Sequence, residues 1–486
     1  MSVTIRQATM LSCLLAVCGA SSEANASAFA LREQSAEGMG NAFAGSAANA
    51  SDPSTAFFNP AGLARMDSNQ AEAQATWIQP QAKFTGTNSS AIPGAPNLTG
   101  TLPENAIKPA AIGSVYDVWN AAPDWKLAFA VNTPFGMRSE YKADWVGRYQ
   151  ALATDVTDID FSVVGSYRIN QNLSIGGGPR FSYLKGRLTQ ALNFKTIGLG
   201  AASQLASGAT QYGQAAAAAA AAGQASTAAA LGAQASAYAT QAQGLQTLAN
   251  SWGDGLGKIE GDDVAAGYTL GALYEFNKET RVGLNYRSRV AHSLAATASF
   301  QTPATLALAG PTLSGPFTAQ AATLKATLPD SLNVGLHHDL NAQWAVMSSV
   351  EWTHWSLIQT LNGIGANGLL LTSLPLKFRD TAMASLGTSY QANDKLALRA
   401  GIAYDESPVT DTTRTARLPD SSRYWLSFGG SYTVMPGTDL QLGYTHIIAD
   451  KALITETTNA LLATGTLNGS YDNAIDMVSL GVKVRF

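Results

Sequence analysis

The groups able to do chemistry in this 486-residue chain are few: five histidines, two cysteines and a thin set of charged side chains. The histidines are His292, His337, His338, His354 and His446. His337 and His338 are neighbours that face opposite sides of a strand, so they cannot chelate as a simple pair. No H-E-x-x-H, G-x-S-x-G or P-loop pattern occurs, and no Ser–His arrangement stands out. Cys13 and Cys18 both fall within the first 26 residues. The rest of the chain therefore has no disulfide framework, thiolate metal site or cysteine nucleophile. An enzyme is not expected, and neither is a metal or an organic cofactor. Electrostatic chemistry is what remains. A carboxylate held in an apolar site needs a cation within hydrogen-bond reach. Lys185, Arg187, Lys377 and Arg379 lie near the tops of two expected strands and are the candidates. The alternative for each is a lumen charge or a surface cation.

The elements that must position such groups are read from composition first. Hydrophobic residues make up 46% of the chain and charged residues only 13%, about half the usual soluble share. No apolar stretch of about 18 residues occurs, so no spanning helix is expected. Glycine (45 residues) and aromatics (16 Tyr, 16 Phe, 9 Trp) are plentiful. This combination points to a transmembrane β-barrel. A net charge of −4 argues against a nucleic-acid partner.

Residues 1–26 have the form of a secretory signal. Arg6 supplies the positive end, Met10 to Ala20 the apolar stretch, and Ala24-Asn25-Ala26 the cleavage site, so the mature chain would begin at Ser27. A lipoprotein signal ending at Cys18 is the rival, but bulky Val17 stands where a small residue is expected. Residues 27–66 form a distinct block, rich in small residues and without a clean period. Forty or so residues of this kind cannot bury a core alone, so they either pack inside something else or stay disordered.

From there on, alternation with a period of 2 dominates. Val478, Leu480, Val482, Val484 and Phe486 share one face, opposite Met477, Ser479, Gly481, Lys483 and Arg485. The same pattern recurs from Lys395 to Tyr404 and from Arg423 to Tyr432. An apolar face opposite a face of Arg, Lys, Ser and Gly suits a strand between lipid and a polar lumen. Strands this long exceed the sandwich mode of about 5–6 residues. Short polar links, such as Asn170-Gln171-Asn172, Asn277-Lys278-Glu279 and Asp339-Leu340-Asn341, alternate with long ones. Short periplasmic turns and long extracellular loops give about fourteen strands over residues 67–486, with both ends periplasmic.

The longest link, 191–258, has no charged residue between Lys195 and Asp254 and includes an eight-residue alanine run from Ala215. Alanine's helix propensity predicts short helices around 201–247 despite the interrupting glycines. This segment is either a low-complexity insertion or an apolar patch at the barrel mouth.

Several motifs, in order along the mature chain, resemble the FadL/OmpP1/TodX family of outer-membrane transporters of hydrophobic compounds. They include Phe29, Gly38 to Gly45, Asn59-Pro60-Ala61, Val131 to Gly136, Leu328-Pro329-Asp330, Trp352 to Ser356, Phe378-Arg379-Asp380, Gly401 to Val409 and Pro419 to Ser427. The resemblance implies a fourteen-stranded all-β barrel of a Gram-negative outer membrane, with an N-terminal hatch (27–66) plugging the lumen. It also implies capture of ligand at the extracellular mouth, an apolar pocket, and sideways release near a kinked third strand. Phe29 matches the family's hatch phenylalanine near the pocket. Asn59, Pro60 and Ala61 match its hatch motif near the lateral gap. The basic candidates above lie in the neighbourhood of its carboxylate-binding residues. Expected partners are a long-chain fatty acid or another hydrophobic small molecule, together with outer-membrane lipid and lipopolysaccharide, and the protein is expected to be a monomer. The alternatives are an importer of neutral aromatic hydrocarbons or alkanes and, in a different class, a structural or adhesive barrel.

Overall fold

Lipid offers no hydrogen bonds, so a sheet that crosses it must leave no edge, and this chain meets that demand by closing on itself. The computed structural model describes residues 28–90, 97–457 and 465–486. The expected signal, residues 1–26, and Ser27 lie outside the described residues. Fourteen antiparallel strands form the wall: β1 (Gln70–Ser89), β2 (Ala110–Ala122), β3 (Trp125–Glu140), β4 (Ala153–Arg168), β5 (Leu173–Asn193) and β6 (Asp254–Glu275) come first. The next four each come in two pieces. They are β7 (Thr280–Arg287, Val290–Gln301), β8 (Gln320–Leu328, Ser331–Asp339), β9 (Trp344–Thr353, Thr360–Gly365) and β10 (Leu370–Pro375, Thr381–Asn393). The ring is completed by β11 (Leu396–Asp405), β12 (Arg423–Met435), the two-piece β13 (Thr438–Ala449, Ala452–Thr457) and β14 (Thr466–Arg485). Closure is made by β1 on β14, in unbroken register from Gln70 opposite Arg485 to Ser89 opposite Thr466.

The alternation read from the sequence sorts as expected. Val478, Leu480 and Val482 are exposed on the outer surface, while Ser479 and Lys483 are buried inside. Such an inside-out arrangement is stable only where the outside is hydrocarbon. Ring pairs Trp125–Tyr167 (4.7 Å) and Trp344–Tyr390 (4.6 Å) flank the short-turn end, where amphipathic aromatics suit a membrane interface. Four of the short turns repeat one device. Asn170, Asn277, Asn341 and Asn393 each accept two backbone N–H bonds on Oδ1, which tightens the reversal.

Within the ring lie residues 28–66, almost wholly buried. Polar bonds hold them to the inner face. Arg32 pairs with Glu351 at 3.0 Å and Glu37 with Arg399 at 2.8 Å, and Arg281 Nε donates to Ala48 O at 2.8 Å. Backbone approaches backbone here because the wall carries glycine at the contacts. A Cβ on Gly283 would lie 1.7 Å from Ala47 O, and one on Gly401 would lie 2.2 Å from Asn41.

The long link contains two helices, Phe194–Ala221 and Ala225–Asn250, joined at Gly223 with φ +74°. They are much longer than the short helices expected. Interior glycines cost a helix about 1 kcal/mol each, but these are offset by packing. Gly198 lets Trp252 and Ala249 close on the first helix, and Tyr212 meets Tyr238 at 5.3 Å. On the wall itself, β7 to β10 are all interrupted, at Ser288-Arg289, Pro329-Asp330, 354–359 and 376–380. Trp355 and Phe378 turn inward at two of these interruptions and are buried.

Replacing Gly283 with Ala should loosen the enclosed segment without opening the ring. The barrel should remain heat-modifiable on gels, and residues 28–66 should gain protease sensitivity. Gly257→Ala, where the nearest atom stands an ordinary 3.5 Å away, should change neither property. Equal protection of both variants would contradict this reading of the close approach.

Candidate functional site

In the half of the barrel nearer the long links, inward-facing residues form an apolar cluster instead of a polar lumen. Leu184 and Leu188 come from β5, Val290 and Leu294 from β7, and Leu324 and Leu328 from β8. Its aromatic part comes from the strand interruptions and from the enclosed segment. Phe29 lies 5.0 Å edge-on from Trp355 and 5.7 Å from Phe135, and Trp355 lies 5.9 Å from Phe378. Phe29 is thus part of the apolar cluster. Beneath it, a cavity of about 60 Å³ is bounded by Leu31, Phe57, Arg180, Arg287 and Glu351.

The wall beside this cluster has a seam. Pairing of β2 with β3 runs from Ala122 opposite Trp125 only as far as Val115 opposite Val131. Above that point β2 pairs with β1, and ladder contact with β3 resumes at Ala106 to Lys108, where Lys108 N donates to Arg138 O at 3.2 Å and Glu140 N to Ala106 O at 2.9 Å. In β3 the register with β4 shifts between Asn132 and Phe135. Pro134 lies inside that shift; it has no N–H to give a neighbour, and proline in a sheet belongs at edges and bulges. The enclosed segment fills the seam. Leu31 N donates to Pro134 O and Gly136 N to Phe29 O, both at 2.8 Å. Gln34 then bridges both strands. Its Nε2 donates to Thr133 O at 2.7 Å, its Oε1 accepts from Ser114 Oγ at 2.7 Å, and its backbone O accepts from Tyr116 Oη at 2.6 Å. Beside it Glu33 is fully buried, with no other residue bonded to either carboxylate oxygen. Burial pushes that carboxyl up to about 7.

The residues nominated from sequence divide. Asn59 Nδ2 donates to Ala47 O at 2.6 Å and to Ala272 O at 3.0 Å, its Oδ1 accepts from Ala61 N, and Ala61 O accepts from Ser174 Oγ at 3.0 Å. Asn59, Pro60 and Ala61 therefore brace the segment against β5 and β6, and their polar contacts lie there rather than at the β2–β3 seam. Lys185 and Arg187, expected as carboxylate partners near the upper pocket, take instead the surface position that was their alternative. Leu184 and Leu188 take the inward places on β5, so both cations face outward, and Arg187 pairs with Asp155 on the neighbouring strand at 3.0 Å. Lys377 (φ +48°) and Arg379 are exposed on either side of buried Phe378, and Arg379 Nε donates to Ser407 O at 3.2 Å. The four cations are not brought together.

Two arrangements escaped the sequence reading. One is Gln34. The other is a set on four adjacent strands: Ser182 Oγ lies 3.0 Å from His292 Nε2, and His292 Nδ1 lies 3.0 Å from Asp263 Oδ2. Nucleophile, base and orienting acid have this spacing. Here the Ser182 hydroxyl is also given to Asp158, and the residue sits in ladders to β4 and β6. The set ties β4 through β7 together. Ser182 and His292 are 110 residues apart in sequence, and only inward strand parity combined with register would have paired them.

Comparison with known proteins fits this geometry. The family described as "Outer membrane protein transport protein (OMPP1/FadL/TodX)" matches residues 17–486. The chain is 28% identical over 437 residues to Outer membrane protein P1 of Haemophilus influenzae, covering 88% of this chain and 87% of that protein. It is 27% identical over 447 residues to the Long-chain fatty acid transport protein of Escherichia coli, covering 91% and 92%. Among solved structures, a Pseudomonas aeruginosa FadL homologue superposes with a TM-score of 0.78 at 22% identity, covering 94% of this chain and 100% of that one. The Pseudomonas putida toluene transporter TodX gives 0.56 at 18%, covering 94% and 99%. These two show likeness of fold. The chain belongs to the OMPP1/FadL/TodX family of outer-membrane transport proteins for hydrophobic compounds.

Proposed function

We propose that this barrel passively imports long-chain fatty acids or similar hydrophobic compounds. Ligand is captured at the extracellular mouth, held in the apolar cluster under control of a hatch formed by residues 27–66, and released sideways into the membrane through the β2–β3 seam. One observation carries the reading: the same short stretch, Phe29 to Gln34, both packs on the pocket and closes the seam. Filling of the pocket and opening of the wall are therefore linked through one piece of chain. Burial is worth roughly 0.8 kcal/mol per methylene, so a sixteen-carbon tail gains on the order of 12 kcal/mol in a fully apolar site. Release needs a second, weaker-binding state, and movement of Phe29 supplies it. In this reading Lys185 and Arg187 face lipopolysaccharide phosphate, and Lys377 and Arg379 make first contact with an anionic head group. The cluster of Phe29, Phe135, Trp355 and Phe378 favours a second reading, import of neutral aromatic hydrocarbons.

Phe29→Ala should reduce oleate uptake while leaving the barrel heat-modifiable, and so should replacement of Asn59-Pro60-Ala61 by three glycines. Gln34→Ala should instead raise the rate of release into liposomes, because the seam loses its bridge. Unchanged uptake in the first two variants, with normal expression, would remove the hatch from the mechanism.

Glu33 gives the seam a pH dependence. Its carboxyl is raised from 4.5 to about 7 when docked, so docking favours the protonated form. The stabilisation is complete below about pH 4.5, falls as pH rises through 7 and is absent above that. Release from proteoliposomes should therefore quicken between pH 5 and 8, and Glu33→Gln should flatten that profile at the slow level. A variant that kept the wild-type profile would exclude Glu33 as its source.

If the two loop helices collect ligand, deleting 201–247 should lower uptake at limiting ligand more than at saturation. Equal uptake at every concentration would leave that segment without a transport role.

A further inference from the structure

The outer face of β2 carries one group that hydrocarbon does not suit. Ser114, Tyr116 and Val118 are fully buried, so the positions that alternate with them face outward: Ala111, Gly113, Val115, Asp117 and Trp119. Four of these five belong on a lipid-facing strand, and Asp117 does not. It stands opposite Ala71 on β1 and Phe129 on β3. The outward positions one step above and below on β3, opposite Val115 and Trp119, are Val131 and Leu127. No cation therefore adjoins the carboxyl. The backbone N–H of Val118 reaches it, but Oδ1 has no hydrogen-bond partner and the side chain makes no ion pair among the described residues. Asp476, an outward carboxyl on β14, is placed differently: it accepts from Tyr444 Oη at 2.8 Å and lies 2.8 Å from His446 Nδ1. An unpaired polar group facing lipid costs free energy, and its partner has to be sought in function.

Position indicates that partner. Asp117 lies five residue steps above the turn end of β2 at Ala122 (122 − 117). That is roughly 16 Å of strand and, with strand tilt, about half the height of the ~25 Å apolar band. The seam begins immediately above. Val115 opposite Val131 is the last β2–β3 pair before the wall opens, and Asp117 is the next outward position below it, roughly 7 Å along the strand. Behind the seam the groups are polar: Gln34 meets Ser114, Asn132 and Thr133. A polar head that leaves by this route passes from amides and hydroxyls into the middle of the apolar band. Asp117 is partly exposed there, on the side to which the head emerges.

We infer that Asp117 is a landing group on the outer wall: its carboxyl accepts a hydrogen bond from the O–H of a long-chain alcohol or protonated acid as the head clears the seam. The bond replaces part of what the head gives up on entering hydrocarbon, and so lowers the barrier to release. A ligand without a polar head gains nothing from it. The inference rests on sideways release through the β2–β3 seam and adds a binding step outside the wall.

The test uses the full-length barrel in proteoliposomes, preloaded with hexadecanol, palmitic acid or hexadecane. Release into the bilayer is followed by stopped-flow fluorescence of a lipid-phase reporter. Asp117→Leu should slow hexadecanol and palmitic acid about 5- to 10-fold, the effect of one hydrogen bond, and hexadecane less than twofold. Asp117→Asn keeps a carbonyl acceptor and should recover most of the rate. Equilibrium affinity for all three probes should stay unchanged, because the pocket lies on the other side of the wall. The Leu variant should resist heat at least as well as the wild type, since a polar group has been removed from the lipid face. Lower heat resistance with equal slowing of all three probes would make the carboxyl structural and overturn the landing role. Unchanged release of both polar probes would overturn it too. A wild-type barrel that passed none of the three to the bilayer, hexadecane included, would instead overturn sideways release itself.

Discussion

Everything in this molecule depends on the exhaustion of backbone hydrogen bonding in a medium that supplies none. The β1–β14 seam is closed over its whole length, which removes the edge that lipid would not tolerate. The same rule governs the β2–β3 opening. A wall can be interrupted there only because another part of the chain answers its orphaned groups. The answer comes from Phe29 to Gln34, by backbone at Pro134 and Gly136 and by an amide side chain at Ser114, Asn132 and Thr133. Glutamine suits the task because one side chain offers two donors and an acceptor with two lone pairs.

Polar closure inside an apolar surrounding also explains how charge is distributed. The lumen around the enclosed segment is filled with arginines and carboxylates in mutual contact, such as Arg32 with Glu351 and Asp405, and Arg423 with Asp405. Above them the inner wall turns apolar at Leu184 and Leu188 on β5, Leu294 on β7 and Leu324 on β8. Glu33 sits at the border of these regions with neither carboxylate oxygen satisfied by another residue. A segment anchored by ion pairs at Arg32 and Glu37, yet carrying at Glu33 a buried carboxyl that no other residue bonds, is held in place with a point of weakness beside the seam.

Much of this was legible in the sequence. Period-2 alternation and alternating link lengths gave the ring and its strand number, because lipid outside and a packed lumen inside impose the pattern on every strand. Side-chain direction at the rim was not legible. Near the top of β5 both faces carry a mixture of apolar and charged residues, so the inward parity of Leu184 and Leu188, and with it the outward turn of Lys185 and Arg187, needed the register with β4 and β6. The role of Gln34 depends on groups 80 to 99 residues distant. Pro134 within a strand pattern was the one local sign that the wall is broken there. Helix propensity found the 191–258 link but underestimated the helices, since their mutual packing is a tertiary effect.

The interruptions of β7 to β10 carry an evolutionary consequence. Trp355 and Phe378 enter the pocket from residues lying outside the regular ladder, so their size and polarity are uncoupled from pairing of the strands below. Substitution, insertion or deletion at 354–359 or 376–380 can reshape the pocket while Trp344–Thr353 and Thr381–Asn393 keep their register. A lineage can therefore exchange one class of greasy nutrient for another through a few residues in these breaks, without rebuilding the barrel around them.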